Sequence, residues 1–378
     1  MEVDYTKRCP ECGVPSFIGR ELEWGKDGVI HLRRSPRNRM VLFESNVIDN
    51  LFRGIEDLIG LPIEHIVIES RRREVRRYME GIFPAWARSF LMRLNEGMSG
   101  TPGFSAWGHL IRNLVGKAVA GKTFQVGKVY GYGEPLWGPL WEARDVHPWR
   151  VMPVRNPYSV FFFAAEILAT VEAFEGRDMW VRYQRQDEET WVFTVHPSGH
   201  PVELGDRLRR RRYPFREGDM KLDRCPRCGV PREVWEMRWD LERGIITDGQ
   251  TGRRMAIFGP HAVDSVLADL EEELGEEIPR LAVEAQRRYV KSRLAAENWR
   301  RRGTTFARMA AVRGLGYVAE FEVNERRLRV RLLNSCMPYL CVGMAQALYE
   351  LAMGRERSEA HWSLSADGEL EIAVELVD

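Results

Sequence analysis

A seven-residue motif that occurs twice constrains this 378-residue chain more than any other feature of its sequence. The segment Cys9–Pro15 reads CPECGVP, and the segment Cys225–Pro231 reads CPRCGVP, with one difference between them. Self-similarity of this kind is the sign of an internal duplication. The sequence therefore predicts two diverged copies of one folding unit.

The likeness extends well beyond the motif. Early in the copies, matched residues are separated by about 215 positions; late in the copies, the separation is about 180. The early pairs are Glu21/Glu236, Trp24/Trp239, Arg39/Arg254, Met40/Met255, Phe43/Phe258, Asp49/Asp264, Glu56/Glu271 and Gly60/Gly275, and the late pairs are Asn156/Asn334, Glu172/Glu350, Gly176/Gly354 and Trp180/Trp362. The first copy therefore contains an insertion of roughly 35 residues.

These matches set the predicted domain boundaries. The first copy covers residues 1–203, a basic linker covers 204–223, and the second copy covers 224–378. The insertion, at about 96–150, is rich in tryptophan: Trp107, Trp137, Trp141 and Trp149. Packing of this loop on its own domain, a lid over an apolar ligand and a partner-binding patch are all compatible with such a composition.

Hydrophobic periodicity predicts the same elements in both copies. A hairpin is followed by a helix that ends at Gly60 or Gly275, then by a second helix, a strand, a third helix and two closing strands. In the first copy, Val47, Leu51, Ile55 and Leu58 line the first helix; in the second copy, Val263, Leu267, Leu270 and Leu274 do so. We expect an α+β fold of two tandem copies, each an antiparallel sheet with packed helices, arranged as a pseudo-dimer with zinc knuckles.

The paired cysteines predict a metal site. Two cysteines three residues apart can point both sulfurs at one ion, but two thiolates do not complete a tetrahedral structural zinc site. The simplest solution is one Zn²⁺ shared by the two motifs, with Cys9, Cys12, Cys225 and Cys228 as its ligands. The alternative is two separate knuckles, each completed by another residue or left empty, and His31 is the candidate in the first copy. Cys336 and Cys341 are interpreted as buried structural residues.

The amino-acid composition limits the classes of partner that this protein can attract. Lys and Arg number 56 against 55 for Asp and Glu, so no overall charge attracts nucleic acid or an anionic membrane. The first residues lack the apolar core of a signal peptide, and no apolar run is long enough to span a bilayer. CxxC pairs without a secretory signal favour a cytoplasmic protein.

Residues with catalytic or nucleic-acid-binding character are few. The histidines are scattered, and no catalytic motif is recognised. Glu172 and Glu350 are interpreted as helix-end partners of arginine rather than as paired catalytic carboxylates. Basic residues on the second helix of each copy are interpreted as a solvated face, with nucleic-acid binding a weakly supported alternative: Arg71, Arg72, Arg73, Arg76 and Arg77, then Arg287, Arg288 and Lys291.

The segments from Val154 to Gly176 and from Leu333 to Gly354, with the strands that follow them, resemble the 4-vinyl reductase family, also called hydrocarbon-binding domains. Residues 253–275 also resemble the effector-sensing domain of bacterial activators of phenol and toluene catabolism. The resemblance implies a fold like that of haem nitric-oxide sensors and Golgi transport subunits. It also implies a small apolar ligand held between helices and sheet, or service as a dimeric adaptor.

We therefore expect a zinc-stabilised protein that binds a small hydrophobic molecule or a protein partner, as a sensor, carrier or accessory subunit. The alternatives are an enzyme or enzyme subunit acting on a tetrapyrrole or aromatic substrate, and a nucleic-acid-associated adaptor. No membrane association is expected.

Overall fold

A computed structural model gives the architecture and describes residues 4–82, 89, 121, 123–136, 148–202, 204, 215–293 and 306–377. The fold is α+β, and each strand pairing is antiparallel throughout these residues. The chain divides into two compact units. The first contains Met1–Ile63, Arg209–Trp239 and Ile246–Asp378, and the second contains Glu64–Leu208 and Asp240–Ile245.

A six-stranded sheet lies mainly in the first unit and takes three strands from each copy, in the order β1-β2-β3-β10-β9-β8. Each set of three strands follows a short helix that begins directly after a CPxCGVP motif. The elements are α1 (Ser16–Glu21), β1 (Leu22–Trp24), β2 (Ile30–Leu32), β3 (Ser35–Glu44), α5 (Arg232–Trp235), β8 (Arg238–Asp240), β9 (Ile245–Thr247) and β10 (Arg254–Phe258).

The centre of this sheet is the pairing of β3 with β10. Val41 lies opposite Phe258, Leu42 opposite Ile257, and Phe43 opposite Ala256. These side chains are buried, because both central strands end in a continuous apolar run. The two copies therefore contribute to one hydrophobic core in the first unit.

The first unit also contains a four-stranded sheet and most of the helices of the second copy. Strand order is β11-β12-β14-β13. The elements are α2 (Val47–Ile59), α6 (His261–Leu274), α7 (Ile278–Arg293), α8 (Phe306–Arg313), β11 (Tyr317–Val323), β12 (Arg327–Leu333), α9 (Pro338–Met353), β13 (Ser358–Leu364) and β14 (Leu370–Leu376). Helix α9 is apolar all round and packs against β13, β14 and α7, which explains its composition.

Helix α2, from the first copy, packs on α7, from the second copy. The contact is close: a Cβ added to Gly54 would lie 2.9 Å from the Cβ of Ala285. At one end of α7, the Tyr289 hydroxyl donates to Asn46 Oδ1 at 2.8 Å. Small residues at the crossing point allow the two helix backbones to approach each other.

The second unit contains a sheet of strand order β4-β5-β7-β6 and two long helices that pack along each other. Its elements are α3 (Glu64–Ile82), β4 (Glu134–Pro135), a 3₁₀ turn (Pro148–Arg150), β5 (Val151–Arg155), α4 (Val160–Glu175), β6 (Met179–Arg185) and β7 (Thr190–Pro197). Helix α4 begins at Ser159, whose side chain accepts from the amide of Phe162, and ends at Gly176 in the left-handed region.

The predicted helices and strands are confirmed to within a few residues at their ends. Gly60 ends α2 in the left-handed conformation, as its position predicted. Leu274 differs: it was expected to line the buried face of α6, but it is 39% exposed because it lies in the last turn, beyond the packed part of the helix. The linker arginines Arg207 and Arg209 to Arg212 lie outside the described residues, as do Trp107, Trp137 and Trp141 of the insertion.

Candidate metal centre

Each CPxCGVP motif forms a tight turn with the same hydrogen bonds. In the first copy, the Cys9 amide donates to the Val14 carbonyl and the Gly13 amide donates to the Cys9 carbonyl, both at 2.8 Å. The turn of the second copy repeats both bonds at 2.9 Å, from Cys225 to Val230 and from Gly229 to Cys225. Gly13 and Gly229 have φ angles of 72° and 74°, a backbone conformation that a side chain disfavours.

The two turns bring four sulfurs together in the first unit. The Sγ atoms of Cys9 and Cys225 are 3.8 Å apart, and those of Cys12 and Cys228 are 3.5 Å apart. All four Sγ atoms lie within 4.8 Å of one another. A tetrahedral ion with metal–sulfur bonds of about 2.3 Å separates its sulfurs by about 3.8 Å. The spacing fits a single ion held by four thiolates, and it is too long for disulfide bonds.

One arginine beside each turn ties that turn to a strand of the other predicted copy. Arg8 Nη2 donates to the Trp239 carbonyl at 2.8 Å, and Arg224 Nη2 donates to the Trp24 carbonyl at 2.5 Å. Each arginine also donates to a carbonyl of its own turn through Nη1. We did not predict these residues, although the sequence carries the signal: Arg precedes the first cysteine in both motifs, so that the repeated string is RCPxCGVP.

A close contact holds α1 against the second turn. A Cβ added to Gly19 would lie 2.8 Å from the Cβ of Cys228 and 2.8 Å from its carbonyl oxygen. The matching position in the other copy is Trp235, so the sequence comparison did not single out Gly19. Glycine at this position allows α1 to lie directly against the cysteine turn of the other copy.

The four cysteines differ in how readily their thiols ionise. Burial raises the pKa of Cys12 and raises that of Cys228 to about 11, because the four sulfurs lie close together away from water. Burial also opposes ionisation of Cys9, but the amides of Cys12 and Glu11 donate to its sulfur and lower the pKa to about 7. A dication at the centre of the four sulfurs removes the cost of ionising them.

The remaining candidate ligands belong to other interactions. His31 is not beside the cysteines: its Nε2 lies 2.8 Å from Asp27 Oδ2, and its Nδ1 lies 2.8 Å from the Pro36 carbonyl. Cys336 and Cys341 are buried, and burial raises the pKa of both thiols, the first to about 12. Both are protonated packing residues at neutral pH.

No family model, curated protein or solved structure matches this chain. Four cysteine sulfurs within 4.8 Å of one another are the donor set of structural zinc and of some iron centres.

Glu172 and Glu350 are fully buried partners of basic side chains. In the second unit, Glu172 accepts from Arg72 Nη1 at 2.6 Å and from Arg76 Nη1 at 3.4 Å. In the first unit, Glu350 accepts from Arg287 Nε and from Lys291 Nζ, both at 3.0 Å. The interpretation of both glutamates as partners of basic residues is confirmed.

The prediction that the arginine-rich face of α3 is solvated was wrong for Arg72. It is 5% exposed, because Glu69 and Glu172 accept its hydrogen bonds between α3 and α4. Glu172, Asp178 and His200 also lie close enough together to hold an ion. Arg72 and Arg76 contact the same Glu172 oxygen, however, and their charges oppose a cation there.

Of the four tryptophans named in the predicted insertion, Trp149 is the one that lies in the described part of the chain. Its indole donates to Glu175 Oε1 at 2.9 Å, and its ring packs edge-on against Phe174. Trp149 therefore packs on its own unit. Among the described helices, none has the length and apolar character needed to cross a membrane.

Proposed function

We propose that one structural Zn²⁺ joins two tandem copies of an α+β unit in this chain, and that the protein acts by binding a small hydrophobic molecule or a protein partner. The observation that carries the proposal is the four-sulfur cluster, to which each copy contributes one CxxC pair. A site with four protein ligands has no open position for a substrate, which favours a structural role for the metal.

The pairing of equivalent residues supports a pseudo-twofold arrangement. Cys9 faces Cys225 and Cys12 faces Cys228, so that each cysteine meets its own counterpart. In the β3–β10 pairing, Leu42 lies opposite Ile257, the residue at the matching position of the second copy. On either side of this pair, Val41 lies opposite Phe258 and Phe43 lies opposite Ala256, which is the pattern that a twofold axis through the central pair would give. The bonds from Arg8 and Arg224 are reciprocal in the same way. A homodimeric ancestor would have had these contacts between subunits.

The binding role rests on the resemblance to the 4-vinyl reductase family and on the layout of each copy. In both units, a helix that is apolar all round packs on the closing strands and on a second helix, α4 in one case and α9 in the other. The family resemblance places an apolar ligand between such layers. Reduced cysteines as metal ligands suit the cytoplasm, where we place the protein.

Native mass spectrometry of the protein purified from its own cells tests the proposal. We expect one zinc ion per chain, and a retained small molecule or partner protein in the same spectrum. Cys225→Ser should lose the ion, whereas the control Cys341→Ala, which alters a buried cysteine away from the cluster, should keep it. Two zinc ions per chain, or iron in place of zinc, would contradict the shared zinc site.

A further inference from the structure

The four-cysteine cluster has a buried side and a side that faces solvent. Cys9 and Cys225 are 3% and 2% exposed, so their sulfurs are largely shielded from solvent. Cys12 and Cys228 are partly exposed. The four ligands of the candidate metal site are therefore unequal, because each motif contributes one protected cysteine and one accessible cysteine.

The two turns leave room beside the accessible cysteines. Gly13 follows Cys12, and a Cβ added to Gly13 has no atom of the described residues within 4 Å. Gly229 follows Cys228, and a Cβ added there lies 3.8 Å from Arg33 Nη2, its one neighbour within 4 Å in the described part of the chain. The oxidation of a cysteine depends on its exposure and on its thiolate character, and a metal-bound cysteine is a thiolate. A small oxidant therefore reaches Cys12 and Cys228 first.

The two accessible sulfurs are also neighbours. The Sγ atoms of Cys12 and Cys228 are 3.5 Å apart, although 216 positions separate these residues in the sequence. The hydrogen bonds from Arg8 and Arg224 hold each turn against a strand of the other predicted copy. These bonds involve no metal, so they keep the two turns together when an ion leaves. An accessible cysteine with a second thiol beside it is the usual arrangement of a redox-sensitive cysteine.

We propose that Cys12 and Cys228 form an oxidation site, at which hydrogen peroxide converts the two thiolates to a disulfide and the zinc ion is released. One thiolate attacks the peroxide, so that an S–O bond forms, the O–O bond breaks and a hydroxide ion leaves. The second thiolate attacks the resulting sulfenic acid, so that the S–S bond forms, the S–O bond breaks and a second hydroxide ion leaves. Two electrons pass from the sulfurs to the peroxide, and two protons from solvent convert both hydroxide ions to water.

The oxidation removes two of the four metal ligands. Only Cys9 and Cys225 remain as thiolates, and two thiolates do not complete a tetrahedral structural zinc site. The reaction therefore replaces a metal link between the two predicted copies by a covalent link. A dithiol reductant reverses it, because disulfide formation is a reversible step of cysteine oxidation. This inference rests on the proposed shared zinc site and adds a chemical regulation of that site.

The test treats the zinc-loaded full-length protein with hydrogen peroxide, follows zinc release with a chromophoric chelator, and maps the disulfides by mass spectrometry after digestion without reduction. Trypsin separates the second pair of cysteines, because Arg227 lies between them, and gives peptides 9–20, 225–227 and 228–232. A protease that cuts after glutamate separates Cys9 from Cys12 at Glu11. We expect peptide 9–20 to be joined to peptide 228–232 through Cys12, with one zinc ion released for each joined pair.

The buried cysteines outside the cluster are the internal control. Cys336 and Cys341 are 5% and 2% exposed, so both should stay reduced at the peroxide concentration that releases the zinc. The variant Cys341→Ala should release zinc at the wild-type rate. A dithiol reductant with added Zn²⁺ should restore the zinc content of the oxidised protein.

The outcomes separate this inference from the proposed function. A disulfide that joins peptide 225–227 to peptide 228–232, within one motif, would overturn the pairing of Cys12 with Cys228. Zinc release that leaves Cys12 and Cys228 reduced would overturn it as well. A protein that contains one zinc ion and keeps it at peroxide concentrations that oxidise free cysteine would refute the oxidation site and leave the structural zinc in place. A purified protein without zinc would contradict the proposed function itself.

Discussion

Gly19→Ala tests whether the two cysteine turns must approach each other as closely as they do. The new Cβ would lie 2.8 Å from both the Cβ and the carbonyl oxygen of Cys228. Carbon atoms in van der Waals contact are about 3.5–4.0 Å apart, so α1 and the second turn must separate by about 1 Å. Metal–sulfur distances tolerate changes of only about 0.2 Å. The substitution should therefore distort the site by displacing Cys228, although it replaces no metal ligand.

We expect zinc affinity to fall by about tenfold to a hundredfold, the usual effect of disturbing the groups that position metal ligands. Competition with a chromophoric chelator measures this affinity. The direction of the change in unfolding free energy is informative, because a helix with alanine at an interior position is more stable than one with glycine there by up to about 1 kcal/mol. If α1 were free of the metal site, the variant would be at least as stable as the wild type.

Gly199→Ala is the matched control, because a Cβ added at that position has no atom within 4 Å. Its zinc affinity should equal that of the wild type. Wild-type affinity in Gly19→Ala, together with raised thermal stability, would refute the close approach of α1 to the second cysteine turn.

Three further predictions concern metal, protons and buried charge. Removing the metal with a chelator should lower the free energy of unfolding. Added Zn²⁺ should restore this free energy and added Mg²⁺ should not, and calorimetry of the unfolding transition measures the difference. Burial opposes protonation of His31, but hydrogen bonds to Asp27 and to a backbone carbonyl outweigh it and raise the pKa of His31. The stabilisation by His31 is therefore complete below its unfolded pKa of about 6.5 and is lost as the pH rises through its folded pKa. In denaturation experiments, the loss of unfolding free energy caused by His31→Gln should therefore shrink between about pH 5 and about pH 8. A loss that grows with pH would contradict this. Glu350→Gln should cost about 3–5 kcal/mol in urea denaturation, because it leaves Arg287 poorly compensated in the interior. The control Glu356→Gln, on a side chain that is 94% exposed, should cost no more than about 1 kcal/mol, and equal costs would refute the argument.

The sequence was sufficient to predict much of the local structure and the clustering of the four cysteines. The end of α2 followed from Gly60, because this position adopts the left-handed backbone that side chains disfavour. The four cysteines were predicted to share a site from ligand number alone, since a pair of thiolates is incomplete. Both inferences depend on rules that act over a few residues or on the coordination chemistry of one ion.

Which helix packs on which could not be predicted. Helix α2 has a strongly apolar face, and such a face predicts burial against some partner. The pairing with α7 is decided by local shape, at the contact of Gly54 with Ala285, and by the hydrogen bond from Tyr289 to Asn46. Hydrophobic periodicity specifies that a face is buried, but it does not specify the partner.

The two predicted copies differ in the charges at matching positions of their second and third helices. At the positions that match Gln286, Tyr289 and Met344, the first copy has Arg71, Glu74 and Glu166. Arg71 donates to both of these glutamates at 2.7 Å, so its charge is satisfied within the protein. In the second copy, the three positions carry no charge. A shared metal that stabilises both copies would allow this change, because one copy could give up a stabilising ion-pair network and keep its fold.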